Sequence, residues 1–276
     1  MTIERRDVDL EFDARVIPRD WCNADAFQTT LLAALSLLFP EGERFFVDSV
    51  KRYRTPALPP ELARDVVGFI GQEAMHGKEH RAFNAMLHDH GYPSAPIVDR
   101  RLRAFLDELR ARMPPASQLA VTCALEHFTA MLAERLLADP RMAAEFDPSV
   151  RALWLWHALE EAEHKDVAFD VYRAIGGGYA RRVAIMGLTT IVFFAVTARV
   201  HAALMRERGI WRRPWTWRRG IARLWLYPGY FTRLVPAYLA YFSPRFHPSQ
   251  RDARALLATW RERLFGPGGA LAQRAA

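Results

Sequence analysis

Two residue pairs in this sequence have the spacing of metal ligands: Glu73 with His76, and Glu161 with His164. Residues three apart on a helix share a face, so the carboxylate and imidazole of each pair can reach one ion. Each pair is preceded by a glutamate in apolar surroundings. Glu43 lies within Phe39-Pro40-Glu41-Gly42-Glu43-Arg44-Phe45-Phe46, and Glu126 within Cys123-Ala124-Leu125-Glu126-His127-Phe128. The separations, 30 residues from Glu43 to Glu73 and 35 from Glu126 to Glu161, let one helix run out and its neighbour return. These six residues are the first-choice ligands for two metal ions, with Fe favoured and Mn as the other option, because both take carboxylate and imidazole donors. Two ions between bridging carboxylates can share electrons to activate dioxygen, or can lower the pKa of a bound water for hydrolysis.

A single Glu-x-x-His arises by chance in many helices; two, each following an interior glutamate, are far more specific. The plainer reading is a set of solvated helix faces carrying acid–base pairs. It suits Glu160 and Glu163, which lie off the Glu161–His164 stripe, and suits Glu43 and Glu126 poorly. His80, four residues after His76, and His157, four before Glu161, extend the two stripes. They are either additional ligands or groups that pack against and orient the ligands. His127 points about 100° away from Glu126 and, with His88, His90, His201 and His247, is read as a non-ligand. Glu79 reads as a solvated or ligand-orienting acid, and Glu41 as an acid suited to a helix start. Asn84 and Tyr172 line either a cavity or ordinary core.

Helices must position these groups. Periodicity predicts one over about 24–53, interrupted at Pro40 and Gly42, and a second from Pro59 or Pro60 to about His90, stopped by Gly91-Tyr92-Pro93. A shorter one spans about 99–112, and Pro114-Pro115 opens another that reaches Ala138. Asp147-Pro148 starts a helix that should run to Gly176-Gly177-Gly178. No strand pattern is present. The expectation is an all-α protein: a ferritin-like four-helix bundle over residues 1–178, with an apolar, Arg/Trp-rich helical extension over 179–276.

The composition, 51% hydrophobic and 25% charged over 276 residues, suits a packed core. The net charge of +7 is local: residues 199–223 hold eight arginines and one acid, Glu207, so the remainder is neutral overall. Nothing else resembles a nucleic-acid module, and no nucleic-acid partner is expected. Cys22 and Cys123 form no disulfide framework, and residues 1–10 lack a secretory apolar run, so a cytoplasmic setting is expected. Residues 183–198 are free of charge, and Trp alternates with Arg in 211–219, a membrane-interface composition. Burial of 183–205 against the bundle ranks first, peripheral contact with the inner face of the cytoplasmic membrane through 183–242 second, and a true span third. A spanning hairpin would carry the arginines to the far side, against the positive-inside rule.

Read together, several phrases resemble the bacterial family of predicted metal-dependent hydrolases. They are Phe39-Pro40-Glu41-Gly42-Glu43, Gln72-Glu73-Ala74-Met75-His76 through His80, and Trp156-His157-Ala158-Leu159-Glu160-Glu161-Ala162-Glu163-His164-Lys165. Val167-Ala168-Phe169-Asp170-Val171-Tyr172 and Phe246-His247-Pro248 fit as well. The likeness runs over roughly residues 15–260 and implies a metal-dependent hydrolase. The ligand order in a helical bundle favours instead a di-iron oxidase or oxygenase acting on a hydrophobic small molecule. Hydrolysis by a metal-activated water is the alternative, and a non-enzymatic metal-binding role the third reading. A homodimer is compatible with all three.

Overall fold

The computed structural model describes residues 3–274. The chain is all-α. It comprises α1 (Ala26–Lys51), α2 (Pro60–Asp89), α3 (Ala95–Arg112), α4 (Pro115–Ala138), α5 (Pro140–Ala144), α6 (Pro148–His164), α7 (Val167–Ala174), α8 (Tyr179–Glu207), α9 (Pro214–Trp225), α10 (Val235–Ala240) and α11 (Arg254–Phe265). An isolated β-bridge links Cys22 and Phe146.

Local chemistry sets the helix starts. Asp25 caps α1 by accepting from Gln28 N at 2.9 Å, and Asp147 caps α6 by accepting from Ser149 N at 3.0 Å. Pro60, Pro115 and Pro148 occupy first-turn positions, where no intrahelical N–H is required. Gly176 adopts φ +73° after α7, a conformation that favours glycine.

Three predicted boundaries change, the smallest at α3, which begins at Ala95 rather than near 99. Helix α1 runs unbroken through Pro40. A proline cannot donate to the carbonyl four residues back, here that of Ser36; Asn84 Nδ2 donates to that oxygen instead, at 3.0 Å. The helix expected from Asp147 to the glycine run divides at Lys165–Asp166 into α6 and α7. Lys165 Nζ there donates to Glu134 Oε1 at 2.7 Å and to Arg251 O at 2.6 Å, tying the break to α4 and the C-terminal region.

Helix α1 packs along α2 and α4 along α6, while α1–α4 and α2–α6 contacts close a four-helix bundle. One apolar core surrounds Trp21, Phe83, Phe146 and Trp154; the other surrounds Phe45, Phe69, Phe169 and Tyr241. Along α1 and α2 the candidate ligands fall between the two. The region after 178 joins both cores: Met186 and Tyr241 enter the second, Leu204 and Trp260 the first. Helix α8 lies against α1 and α4. It is long and apolar enough to cross a membrane, and 22% of its most apolar stretch is buried. The helix expected to be buried against the bundle is buried along one side.

Candidate metal centre

Each bundle helix delivers a carboxylate to one interior point. Glu43 comes from α1, Glu73 with His76 from α2, Glu126 from α4, and His157, Glu161 and His164 from α6; all seven are buried. Donor atoms of Glu43, His76, His157 and Glu161 lie within 4.8 Å of one another, as do those of Glu73, Glu161 and His164. Glu126 Oε2 stands 3.5 Å from His164 Nε2, which adds it to the second group.

Glu161 belongs to both groups through different oxygens. Its Oε1 is 2.8 Å from His157 Nε2 and 3.6 Å from His76 Nδ1, and its Oε2 is 3.7 Å from His164 Nε2. Glu73 is placed in the same way, with Oε2 3.7 Å from His76 Nδ1 and Oε1 3.3 Å from His164 Nε2. Two carboxylates therefore lie between two donor groups, with Glu43 at one end and Glu126 at the other.

Buried polar atoms are almost always hydrogen-bonded. Here both oxygens of Glu43, Glu73 and Glu126, Glu161 Oε2, His76 Nδ1 and His164 Nε2 have no hydrogen-bond partner. Orphaned atoms converging on one point are what a cation site requires, and the set fits metal ions. Charge agrees: four carboxylates balance two divalent ions when the imidazoles are neutral. Burial pushes the carboxyls of Glu43, Glu73 and Glu126 well above their ordinary range. Burial also holds His76 and His80 well below theirs. Burial acts downward on His164 too, but the carboxylates of Glu126 and Glu161 outweigh it and push the imidazole up to about 9. A proton there stands where the field asks for a cation.

The far side of each imidazole is held as metal-binding histidines are held. His164 Nδ1 lies 2.8 Å from Gln72 Oε1, while Gln72 Nε2 donates to Glu4 O and to Glu163 Oε2, both at 2.9 Å. With its nitrogen committed, Gln72 turns its oxygen to accept from His164. His76 Nε2 lies 3.0 Å from Glu160 Oε2. Burial pushes Glu160 up to about 8 against the pull of Arg6; in the tautomer whose Nε2–H donates to Glu160, His76 Nδ1 faces the centre with a lone pair. His157 Nδ1 lies 2.6 Å from His80 Nε2, and His80 Nδ1 2.8 Å from Ser36 Oγ, which donates to Asn84 Oδ1 at 2.7 Å.

His157 thus enters the donor cluster, and His80 stands behind it as an orienting group. Glu160 and Glu163, read as solvated, are corrected: both carboxylates are buried and accept from Arg6 at 2.8 and 2.9 Å. Their alternative to water is a buried cation from the N-terminal segment. Glu79 is buried rather than solvated, accepting from Leu10 N at 3.1 Å. His127, His201 and His247 bond elsewhere, to Ala237 O, Thr30 Oγ1 and Asp170 Oδ1. Tyr172 donates to Gly178 O at 2.9 Å and closes a turn. Arg6 and Ser36 carry no motif in their spacing, and sequence reasoning misses them; Gln72 stands in one of the family phrases, but its contact with His164 is not readable there. Only the doubled acid Glu160-Glu161 hints that two faces of α6 are acidic.

A cavity of 300 Å³ adjoins the centre, with Glu43, His157 and Glu161 among its lining residues. No curated protein and no solved structure matches the chain. A family profile does match, over residues 4–252, which includes Arg6 and every residue of the cluster. The chain belongs to the family described as predicted metal-dependent hydrolase.

Proposed function

We propose that the protein is a hydrolase working through two metal ions, which Glu43, Glu73, His76, Glu126, His157, Glu161 and His164 would hold, Glu73 and Glu161 offering an oxygen to each donor group. The observation that carries this is the convergence of nine orphaned, buried donor atoms inside a chain of a metal-dependent family. The family description favours hydrolysis over the oxygen activation suggested by ligand order. The donor set suits Fe(II), Mn(II) or Zn(II). Bound there, the ions would activate water and polarise the bond to be cleaved.

The protein's own groups do the remainder. Glu43 and Glu161 face the cavity, so the scissile bond of a hydrophobic substrate lies beside them. Glu43 lines the cavity at one end of the cluster, where a carboxylate oxygen is placed to take the proton that an attacking water releases. Gln72, Glu160 and His80 fix the imidazoles, so the donor atoms keep their directions through turnover.

The test is metal analysis of protein purified without added metal, followed by assay against an ester and phosphoester panel with oxygen uptake recorded in parallel. Metal-dependent ester or phosphoester turnover without oxygen uptake supports the proposal. Oxygen uptake with no hydrolysis overturns it in favour of oxidation. Unchanged metal content in both Glu73→Ala and Glu161→Ala would remove the site itself.

A further inference from the structure

The cavity beside the metal centre has a second end. Leu188, Val192 and Phe193 of α8, with Leu224 and Phe231, line it far along the chain from Glu43, His157 and Glu161. Leu188 both lines the cavity and is 52% exposed, so the cavity reaches the surface there. Its walls are aliphatic and aromatic. Glu145, an acid among them away from the centre, is tied to Arg223 and Tyr230. At 300 Å³ it sits at the lower end of the range of about 300–1,000 Å³ for small-molecule sites.

The surface around that mouth is apolar. Ile191 is 70% exposed, and Leu226 and Tyr227 are each 79% exposed. Single exposed apolar residues are ordinary, but Ile191 lies about one turn before Phe194 on α8, and Leu226 and Tyr227 follow directly on Trp225. Phe194 of α8 and Trp225 of α9 both pack their rings on Phe231, at 6.3 and 5.6 Å, joining the two helices into one face. Gly220 lets α9 approach α1 closely, since a Cβ there would meet the Phe27 ring at 2.2 Å. Beside the apolar face stand Arg212, Arg213, Arg218 and Arg219, exposed and without an ion pair among the described residues. Trp215 lies 5.5 Å from the Arg218 guanidinium and is 62% exposed. A nucleic acid would use the arginines and leave the apolar face wet. An anionic lipid surface uses both.

We propose that the α8–α9 face docks on an anionic bilayer and that the cavity takes a lipid acyl chain from it, bringing the bond at the head of that chain to the metal centre. The docking and the chain binding rest on the face and the cavity; only cleavage of that bond rests on the hydrolytic reading above.

The test uses the full chain with its metal, and vesicles of phosphatidylglycerol or phosphatidylcholine. Sedimentation is expected with phosphatidylglycerol, and to weaken in high salt. R218E with R219E should weaken it by roughly 30-fold or more, at about 1 kcal/mol for each lost arginine. L226D with I191D, both at exposed positions, should abolish it without unfolding the chain. The fluorescent fatty acid cis-parinarate reads the cavity: wild type should bind it, and L35W, which fills the lining, should not. Metal content is measured in every sample and should stay at the wild-type level.

Three results would overturn the proposal: no binding to either vesicle, equal parinarate binding in wild type and L35W, or a concentration-dependent dimer that masks the face. Metal content and hydrolysis of a short soluble ester separate the two proposals. If both persist while lipids are ignored, the hydrolase stands and the membrane proposal fails. If vesicles and parinarate are bound while the protein takes up no metal and cleaves no ester, the membrane proposal stands and the hydrolase fails.

Discussion

Glu161 and His80 act differently on the same centre, and mutation should separate them. Glu161 offers one oxygen to each donor group, whereas Glu43 serves one end. Glu161→Ala is therefore expected to lower the occupancy of both metal positions, and Glu43→Gln mainly one, when metal per chain is counted by elemental analysis. Equal losses in the two variants would remove the central place given to Glu161. His80 contributes no atom to the donor cluster; it holds His157 at 2.6 Å. His80→Ala should keep the fold and weaken metal binding by about 10–100-fold in a competitive chelator titration. An unchanged affinity would reduce His80 to packing. The donors were legible in the sequence because helical spacing fixes which side chains share a face. The groups behind them were not, since Gln72, Glu160 and Ser36 meet their imidazoles across helix pairs whose rotation the sequence does not reveal.

Among the elements, the N-terminal segment and α1 bear most on the centre. Arg6 is buried between Glu160 of one α6 face and Glu163 of another, and Glu163 also pairs with Arg261 of α11 at 2.5 Å. Burial acts upward on Glu163, yet these guanidinium groups hold it below its ordinary value. Arg6→Ala strands buried carboxylate charge and is expected to cost about 3–5 kcal/mol in urea unfolding. A loss under about 1 kcal/mol would show that water replaces the guanidinium. In α1, Asn84 takes up the carbonyl that Pro40 releases. Asn84→Ala should destabilise by about 1–3 kcal/mol, the cost of an unsatisfied buried group. The companion substitution Pro40→Ala restores the donor and should recover part of that loss; no recovery would refute the pairing. Helix starts were readable from Asp-Pro and Pro-Pro signals. The continuity through Pro40 was not, because its compensation comes from a residue on another helix.

For the molecule as a whole, four buried carboxylates in one interior are tolerable only with protons or cations among them. Between pH 7 and 9 the metal-free folded chain keeps the proton on His164, whose value is about 9 and which its unfolded form releases; the carboxyls of Glu43, Glu73 and Glu126, raised by burial, act in the same direction. A group raised in the folded state gives stability that is lost as pH climbs through its folded value. His76 and His80 are lowered, so above about pH 6.5 they are neutral in both states and add no slope. The metal-free protein should therefore lose about 1.4 kcal/mol per pH unit for each proton so retained. Cations take the place of those protons, and their binding favours only the folded form. The difference in Tm between metal-loaded and chelator-treated protein is expected to widen from pH 7 to pH 9 by several degrees, at about 2–4 °C per kcal/mol for a chain of this order of size. Scanning calorimetry at three pH values decides it. A gap that stays constant or narrows would mean that the buried carboxylates do not exchange protons for metal, and the centre would then be a charge cluster stabilised by the protein alone.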